Sequence, residues 1–444
     1  MEPDEIRVAL EQLLGARVDD LRRLTGGASR ETWSFTADGQ PRILQRERPG
    51  SPRAGTMPRE AALIHAAGGA GVPVARVVAS GADEAGLGTG FMVADYVEGE
   101  TIARRILRDD EYATARDVLP EQCGRALAGV HRVPLDAVDG LERPDQLAQY
   151  REILDAYGDP IPAFELAFRW LEDHRPEVTG ETVVHGDFRL GNLMIGPDGL
   201  RAVVDWELAH IGDPMEDLGW LCVRAWRFGG ECPVAGVGSY EQLFDAYEAA
   251  AGVEVDPEIV RWWEVLGTLK WGIICIMQSR VHLDGMSRSV ELAAIGRRVC
   301  ENEHDLLLLL APEALEQATA RASTPSVTEA GMFGRPTAAE LVEAVREYLD
   351  GDVRETASGR TAFHGRVASN ALGAVQRELE QGPGMVAENV ARLGGLGIGN
   401  EADMAGAIRD GRFDDRIAEV QTVVAETVVD KLRVANPGYF PSGD

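Results

Sequence analysis

The most constraining feature of this chain is a polar loop framed by three short apolar segments between residues 182 and 204. Thr182–Val184 is typical of a β-strand, and the sequence HGDFRLGN follows it directly. Leu193–Ile195 and Arg201–Val204 predict two further strands on either side of a Gly-rich turn. Because a scaffold of strands fixes the loop between them, the polar side chains of this loop are expected to face one cleft.

Three side chains of this region suit phosphoryl transfer. Asp187 and Asn192 lie five residues apart in the loop, and Asp205 follows the last strand. This chemistry needs a carboxylate to orient and deprotonate the attacking hydroxyl, and oxygen ligands for the Mg²⁺ on the nucleotide phosphates. Mg²⁺ prefers oxygen donors and takes few of them from protein. We expect Asp187 to be the catalytic base, and Asn192 and Asp205 to be the metal ligands.

The segments HGDFRLGN and DWELAHIGDPMEDL resemble the aminoglycoside phosphotransferase family, and the resemblance covers about residues 1–310. Within it, the chain is similar to the kinase region of acyl-CoA dehydrogenase fusion proteins. The resemblance implies an α+β, two-lobed protein-kinase-like fold, with an antiparallel sheet and a helix in the N-lobe and a mostly helical C-lobe. It also implies a kinase that uses ATP and Mg²⁺. Gly186 stands where eukaryotic-type protein kinases usually carry arginine, which favours a small-molecule acceptor.

The resemblance also implies residues that support the catalytic loop without touching the reacting atoms: His185, Glu207, Asp213 and Asp217. A second interpretation of Asp213 is a helix cap, with Pro214 in the first turn and Glu216 completing a capping box. Glu207 lies two residues after Asp205, on the same side of an extended chain. Metal contact, substrate contact and a solvent-facing position all remain open for Glu207.

The nucleotide is expected to bind in the N-lobe. Small residues in a turn let backbone N–H groups approach phosphate oxygens closely. A strand that runs into a hinge can offer its backbone to adenine. The resemblance places these two contacts at the following residues: Gly26, Gly27, Ser29, Asp95, Tyr96 and Val97.

A phosphate-binding lysine is typical of this fold, and here the chain departs from the pattern. Its only lysines are Lys270 and Lys431, so a phosphate-binding cation in the N-lobe must be arginine. In the predicted strand PRILQRER, period-two alternation puts Leu44 and Arg46 on one face. A guanidinium suits phosphate because its planar fork donates two parallel hydrogen bonds. We expect Arg46 to hold the phosphates, with Leu44 against the adenine.

Two alternatives follow from the missing lysine. A one-residue shift in register would put Gln45, rather than Arg46, in the phosphate-facing place. Without a working cation, the protein would be a catalytically silent pseudokinase or a scaffold. The resemblance implies that Glu60, near a helix start, pairs with the cation, although an acidic residue is also common in a first turn.

Tryptophans crowd the region after the catalytic loop, at positions 220, 226, 262, 263 and 271. Large aromatic side chains dominate burial, so most of them should be core residues. One or two could line an acceptor pocket above Asp187, and the sequence does not distinguish which.

Charge and composition limit the classes of partner. The formal net charge of −29 disfavours nucleic acid and anionic membrane, because neutralising phosphates requires Lys and Arg. The apolar runs are shorter than a membrane helix needs, and the acidic start has no hydrophobic signal region. Five scattered cysteines without CxxC spacing favour a reducing cytoplasm. We expect a cytoplasmic protein acting on a small-molecule or carrier-linked hydroxyl.

The pattern also divides the chain into domains. Thr337 and Glu340 form a capping box that opens a helix, and helical periodicity continues to Asn436-Pro437. Strand alternation is not visible in this part of the sequence, which predicts a separate all-α domain and leaves homo-oligomerisation through it open. The predicted divisions are an N-lobe at 1–98, a C-lobe at 99–310, a linker at 311–335 and the all-α domain at 336–444.

Overall fold

The structure is a computed structural model that describes residues 1–24, 30–48, 55–82, 85–321 and 335–440. The chain forms two compact units, and each is made of two separate stretches of sequence. The first unit contains residues 1–144 and 176–264, and the second contains residues 145–175 and 265–444. Among the described residues, the helices lack the combination of length and apolar character that a bilayer crossing requires.

The β-strands all lie in the first unit. They form one five-stranded antiparallel sheet in the order β1-β2-β3-β5-β4 and two small antiparallel pairs, β6 with β9 and β7 with β8. Their bounds are β1 Val18–Leu24, β2 Arg30–Ala37, β3 Gln40–Glu47, β4 Val77–Gly81, β5 Phe91–Asp95, β6 Thr182–Val184, β7 Leu193–Gly196, β8 Gly199–Val203 and β9 His210–Gly212.

The helices occur in both units, and α9 begins in the first unit and continues into the second. Their bounds are α1 Pro3–Leu14, α2 Met57–Gly69, α3 Ala103–Arg108, α4 Ala113–Val130, α5 Gln146–Tyr157, α6 Pro162–Asp173, α7 Met215–Cys222, α8 Tyr240–Ala251, α9 Pro257–Leu283, α10 Val290–Ile295, α11 Val299–Leu310, α12 Pro312–Thr319, α13 Ala338–Tyr348, α14 Arg354–Thr356, α15 Gly359–Gly395, α16 Glu401–Arg409 and α17 Ile417–Ala435.

The hairpin of β2 and β3 sets the register of the large sheet. Asp38 and Gly39 form its two-residue turn, and both have positive φ, as a turn of this hand requires. Alternation then sends Trp33, Phe35 and Leu44 to one face, where they form a core with α1. The opposite face of the hairpin carries Arg30, Gln45 and Glu47.

Helix α2 is anchored to this sheet by Glu47, the last residue of β3. The buried carboxylate of Glu47 accepts hydrogen bonds from the backbone N–H groups of Gly55, Thr56 and Met57. These groups lie at the start of α2, where helix N–H donors have no partner within the helix. The position of Glu60, one turn into α2, is therefore fixed relative to β3.

The core of the second unit joins helices that are distant in sequence. Apolar residues of α6 and α11 share one cluster with residues of α12, α15, α16 and α17. Five consecutive polar residues of α11, 301–305, are buried, and their partners include residues near the chain's end. Glu303 pairs with Lys431 at 3.3 Å, and Asp305 accepts a hydrogen bond from the Tyr439 hydroxyl at 2.6 Å.

The fold class predicted from the sequence is confirmed: a five-stranded antiparallel sheet precedes a mostly helical region, and further helices follow. The capping box of Thr337 and Glu340 is present, and α17 ends one residue before Asn436. Within the predicted all-α part, residues Gly359–Gly395 form one long helix, α15, which continues through Pro383. The first part of the predicted linker forms α12, and 322–334 lie outside the described residues, so the domain boundaries stay a prediction.

Candidate active site

The catalytic loop follows β6, and its conformation depends on Gly186. This residue has φ +76°, and a Cβ placed there would lie 2.5 Å from the carbonyl oxygen of Leu208. Any other residue would clash with that backbone and would strain the left-handed conformation. The glycine therefore lets the loop turn sharply and present Asp187.

The carboxylate of Asp187 is held by three donors. The Arg189 Nε and the Trp220 Nε1 donate to its Oδ1, each at 3.0 Å. The Asn192 Nδ2 donates to its Oδ2 at 2.6 Å and to the Asp187 carbonyl at 3.0 Å. Since the amide nitrogen of Asn192 faces Asp187, its amide oxygen is directed elsewhere. Asp187 and Asn192 thus meet as the sequence predicts.

The carboxylate of Asp217 holds the backbone at the start of the catalytic loop. It accepts hydrogen bonds from the backbone N–H groups of His185, at 2.7 Å, and Gly186, at 2.9 Å. Its Oδ2 also lies 3.3 Å from His131 Nε2, and His131 in turn contacts the Tyr247 hydroxyl at 2.8 Å. Burial alone would raise the pKa of Asp217, but hydrogen bonding and charge from His131, with His185, hold that pKa below its usual value.

His185 connects the loop to the strand that leads to Asp205. It is fully buried, and its Nε2 lies 3.1 Å from the Val204 carbonyl. Its ring packs against Trp206 and Phe188. Burial lowers the pKa of His185, and this effect is larger than the opposing effect of the Asp217 and Asp187 carboxylates. The buried imidazole therefore connects the loop that carries Asp187 to the strand end that carries Asp205 through packing and one hydrogen-bond contact.

The structure corrects the interpretation of the segment that begins at Asp213. Its carboxylate accepts hydrogen bonds from Thr179, through N and Oγ1, and from Met215 N, at 2.7–2.9 Å. The expected capping box is wrong, because Glu216 points to His210 Nε2 at 3.1 Å instead. Asp213 therefore both holds the start of α7 and ties that helix to the segment before β6.

The cation of the cleft is Arg30, the first residue of β2, which the sequence analysis did not select. Its guanidinium is buried and lies 2.7 Å from Glu60 and 3.1 Å from Glu207. Asp205 lies 3.9 Å away. Burial disfavours the charged form, but these carboxylates outweigh it and raise the pKa of Arg30. The expected ion pair of Glu60 is present, although its partner differs from the expected one.

The expected role of Arg46 fails because of strand register. Arg30 pairs with Glu47 across the hairpin, and Glu31 pairs with Arg46, so Arg30 and Arg46 face opposite sides of the sheet. Arg46 donates to the Leu87 carbonyl at 2.5 Å and contacts Glu31 at 3.3 Å.

The same register corrects the adenine contact. Leu44 is fully buried in the core formed with α1, so it does not face an adenine. Gln45, the alternative, lies on the same face as Arg30.

Asp205 combines an unusual backbone conformation with several neighbouring carboxylates. It is a non-glycine residue at φ +66°, a conformation that costs energy and recurs at functional sites. Burial and the carboxylates of Glu207, Glu60 and Asp187 raise the pKa of Asp205 to about 6, against the lowering effect of Arg30. The cleft therefore concentrates negative charge around one arginine, as a cation site requires.

The remaining nucleotide contacts are only partly described. Asp95 N donates to the Arg76 carbonyl and Tyr96 N to the Pro41 carbonyl, so both N–H groups are used within the sheet. The Asp95 carboxylate pairs with Arg42 and Arg76. The predicted phosphate loop, Gly26, Gly27 and Ser29, lies outside the described residues.

An aromatic wall stands beside Asp187. The ring centroid of Trp220, the tryptophan that contacts Asp187, lies 5.1 Å from that of Trp226. The Arg189 guanidinium lies over the Trp226 ring, 4.9 Å from its centroid, and Phe228 follows at 6.4 Å from Trp226. The side chains next to the carboxylate therefore combine apolar surface with one positive charge.

Comparison with known families matches two segments. The family model described as phosphotransferase enzyme family matches residues 20–263. The model described as domain of unknown function, DUF6285, matches residues 355–439. The first match contains the described catalytic loop, Arg30, Glu60 and Asp205, and the second contains the whole of α15, α16 and α17.

Relatives and solved structures agree with the first match. The mouse (Mus musculus) acyl-CoA dehydrogenase family member 10 is 29% identical over 288 residues, 58% of this chain and 26% of the relative. The human (Homo sapiens) acyl-CoA dehydrogenase family member 11 is 27% identical over 248 residues, 51% of this chain and 32% of the relative. The chain thus matches about a quarter to a third of the length of these relatives.

Two solved structures share the fold. One, assigned as an aminoglycoside phosphotransferase from Ralstonia eutropha, is 22% identical with a TM-score of 0.58, over 70% of this chain and 98% of that one. The spectinomycin phosphotransferase APH(9)-Ia, solved with ADP and spectinomycin, is 12% identical with a TM-score of 0.53, over 70% and 99%.

Proposed function

The chain belongs to the phosphotransferase enzyme family, and from that membership we propose that it transfers the γ-phosphate of ATP, with Mg²⁺, to a hydroxyl group of a small or carrier-linked metabolite. The observation that carries this proposal is the joint placement of Asp187 and Asn192 in one loop, with Asp205 beside the Arg30–Glu60 pair. These groups are the ones that phosphoryl transfer requires of a protein.

Asp187 is the proposed base. Its carboxylate is oriented by Asn192, Arg189 and Trp220, so its rotamer is set before the acceptor binds. The acceptor hydroxyl would donate its proton to this carboxylate as its oxygen bonds to the γ-phosphorus. The bond between that phosphorus and the β–γ bridging oxygen breaks, and ADP leaves with the electron pair.

Asn192 and Asp205 fit a magnesium ion. The amide oxygen of Asn192 and the carboxylate of Asp205 are hard oxygen donors, and the excess negative charge near Asp205 would be relieved by a cation. When bound, Mg²⁺ would neutralise charge on the β- and γ-phosphates. The hydrogen bond from Val204 N to the Asn192 carbonyl, at 3.0 Å, couples the backbones that carry the two ligands.

Arg30 is the proposed phosphate-binding cation, in place of the lysine that the chain lacks. Glu60 and Glu207 hold the guanidinium on the cleft side of the sheet. A guanidinium has five donors, so it can keep its carboxylate partners and still donate to phosphate oxygens. Because the backbone N–H groups of Asp95 and Tyr96 are used in the sheet, we assign the adenine contact to the backbone of Val97.

The wall beside Asp187 bears on the acceptor. Trp226 is buried, so the apolar surface comes from the half-buried Phe228, and Arg189 offers a positive charge. Such a surface suits a hydroxyl compound with an apolar or anionic body better than a polycation such as an aminoglycoside. The two named relatives are acyl-CoA dehydrogenase family members, which makes hydroxyacyl-CoA thioesters the first acceptors to test.

The alternative function is a pseudokinase that binds nucleotide without transfer, and the absent lysine is the observation that favours it. Arg30 weakens this alternative, because a buried cation already pairs with Glu60. The two functions differ in what Asp187→Asn does, since a pseudokinase has no turnover to lose.

The test combines nucleotide binding with transfer of a labelled γ-phosphate to a panel of hydroxyacyl-CoA thioesters, hydroxy acids and aminoglycosides. Asp187→Asn should lower transfer by about 10²–10⁴-fold, the contribution of a general base, while Mg²⁺–ATP affinity stays within about threefold. Asp205→Asn should weaken Mg²⁺-dependent nucleotide binding itself. Asp198→Asn, in the exposed turn between β7 and β8, is the matched control. Equal transfer by wild type and Asp187→Asn would contradict the proposal.

A further inference from the structure

Helix α15 carries an exposed apolar stripe that the kinase chemistry does not use. Val375, Leu379, Val386 and Val390 are 41%, 38%, 64% and 58% exposed. At 3.6 residues per turn, these four side chains fall within an arc of about 60° on one face of the helix. The other side of the helix contains buried residues, including Gly373 and Ala374, so the stripe is a distinct surface.

The stripe is symmetric about the Gly382–Pro383 pair of α15. Val375 lies seven residues before Gly382, and Val390 lies seven residues after Pro383. Leu379 and Val386 lie three residues on either side of the same pair. The four positions therefore read the same in both directions along the helix. A second copy of α15 that runs antiparallel and crosses between residues 382 and 383 would place Val375 opposite Val390 and Leu379 opposite Val386.

The centre of the stripe permits a close crossing. Gly382 lies on the face of the stripe and has no side chain, and a Cβ placed there would meet only the Glu378 Cγ, at an ordinary contact distance of 3.6 Å. Small residues at a crossing let two helix backbones approach, which brings the flanking apolar side chains into contact. Large apolar residues on both sides of a small centre form a self-complementary surface.

Helix α13 widens this surface at one end. The Arg346 Nη1 donates to the Gln376 side chain at 3.1 Å, so α13 lies beside the Val375 end of the stripe. Three of its side chains at helical spacing are also exposed: Leu341, Val345 and Tyr348. These seven side chains are a third of the 21 large apolar side chains exposed among the described residues, a local concentration rather than a scatter.

We propose that this face binds a second copy of the chain through a two-fold antiparallel pairing of α15. A two-fold interface uses the same patch on both copies, which the symmetric stripe satisfies. Its seven side chains and glycine centre would bury on the order of 700 Å² per copy, close to a standard interface. The formal charge of −29 makes two copies repel, so their contact must be apolar and strengthens with salt.

The experiment measures the mass of the full chain in solution, by light scattering or sedimentation, at micromolar concentration and two salt concentrations. Wild type should have twice the mass of one chain, with a larger dimer fraction at the higher salt. Leu379→Lys and Val386→Glu should each give a folded monomer, because each puts charges into an apolar contact. Unchanged circular dichroism of each variant confirms folding.

The double variant Leu379→Lys/Val386→Glu gives the decisive result. In the antiparallel arrangement each new lysine faces a new glutamate of the other copy, twice per dimer, so the dimer should return at low salt. Val178→Glu, at an exposed position of the first unit, is the matched control and should leave the dimer intact. A monomeric wild type, or a folded double variant that stays monomeric, would overturn the proposal.

Discussion

Arg30 offers the sharpest test of how this kinase holds its nucleotide. Its side chain is 9% exposed and lies within 4 Å of Glu60, Glu207 and Asp205. Arg30→Gln removes the cation that pairs with these carboxylates, and breaking a buried pair costs about 3–5 kcal/mol of unfolding free energy. A charge-assisted hydrogen bond to phosphate contributes about 1.5–3 kcal/mol, so we expect Mg²⁺–ATP affinity to fall about tenfold to hundredfold.

The assay is calorimetric titration of Mg²⁺–ATP into the purified chain, with thermal unfolding measured alongside. A rescue variant separates loss of phosphate binding from loss of structure. Gln45 lies on the same face of the hairpin as Arg30, so Arg30→Gln/Gln45→Lys restores a cation on the cleft side of the sheet. We expect the double variant to recover most of the nucleotide affinity.

Arg46→Gln is the matched control, because Arg46 is an equally buried arginine on the opposite face. It should lower stability, since the Leu87 carbonyl loses its donor, yet leave nucleotide affinity within about twofold. The reasoning is refuted if Arg46→Gln weakens Mg²⁺–ATP binding while a folded Arg30→Gln does not.

Two further predictions concern the catalytic loop. Trp220→Phe removes a hydrogen-bond donor to Asp187, so we expect phosphate transfer to be about tenfold to hundredfold slower with an unchanged KM for ATP. Steady-state kinetics would measure this, with Trp263→Phe as the control variant. A change in the KM for ATP without a slower rate would contradict the prediction. Asp217→Asn should cost about 3–5 kcal/mol in urea unfolding. Because the folded pKa of Asp217 is depressed, its contribution is complete above the unfolded pKa near 4 and is lost only below it. The contribution of the Asp217 carboxylate should therefore be lost only below about pH 5, whereas any change between about pH 8 and pH 5 reports His131 and His185, which face it. A difference from wild type that persists undiminished below about pH 2 would exclude this assignment.

The catalytic loop could be predicted from the sequence because its determinants are local. HGDFRLGN lies between segments whose strand pattern is unambiguous, and β6, β7 and β8 form where those segments are. The spacing within one loop then brings Asp187 and Asn192 together. The capping box at Thr337 is local in the same sense, and it starts α13.

Long-range associations could not be predicted in this way. Helices α5 and α6 lie between two parts of the kinase-like unit in sequence, yet they pack with the C-terminal helices. The polar run 301–305 resembles a solvated helix face, but it is buried because Lys431, Asn436 and Tyr439 approach it from the far end of the chain. The periodicity of a helix cannot reveal these three partners, because each lies more than a hundred residues away in the sequence.

The cation lies on β2 rather than on β3 because the two strands place opposite charges at this end of the hairpin, Arg30 on β2 and Glu47 on β3. On the cleft face of the hairpin, the end of β3 is occupied by Glu47, whose carboxylate holds the start of α2 and thereby positions Glu60. Arg30 lies directly across from Glu47 in the register, next to the residue that Glu47 positions. With an anion fixed at the end of β3, the cation comes from β2 instead. The usual kinase pattern points to β3 alone, which explains why Arg46 was selected from the sequence and Arg30 was not.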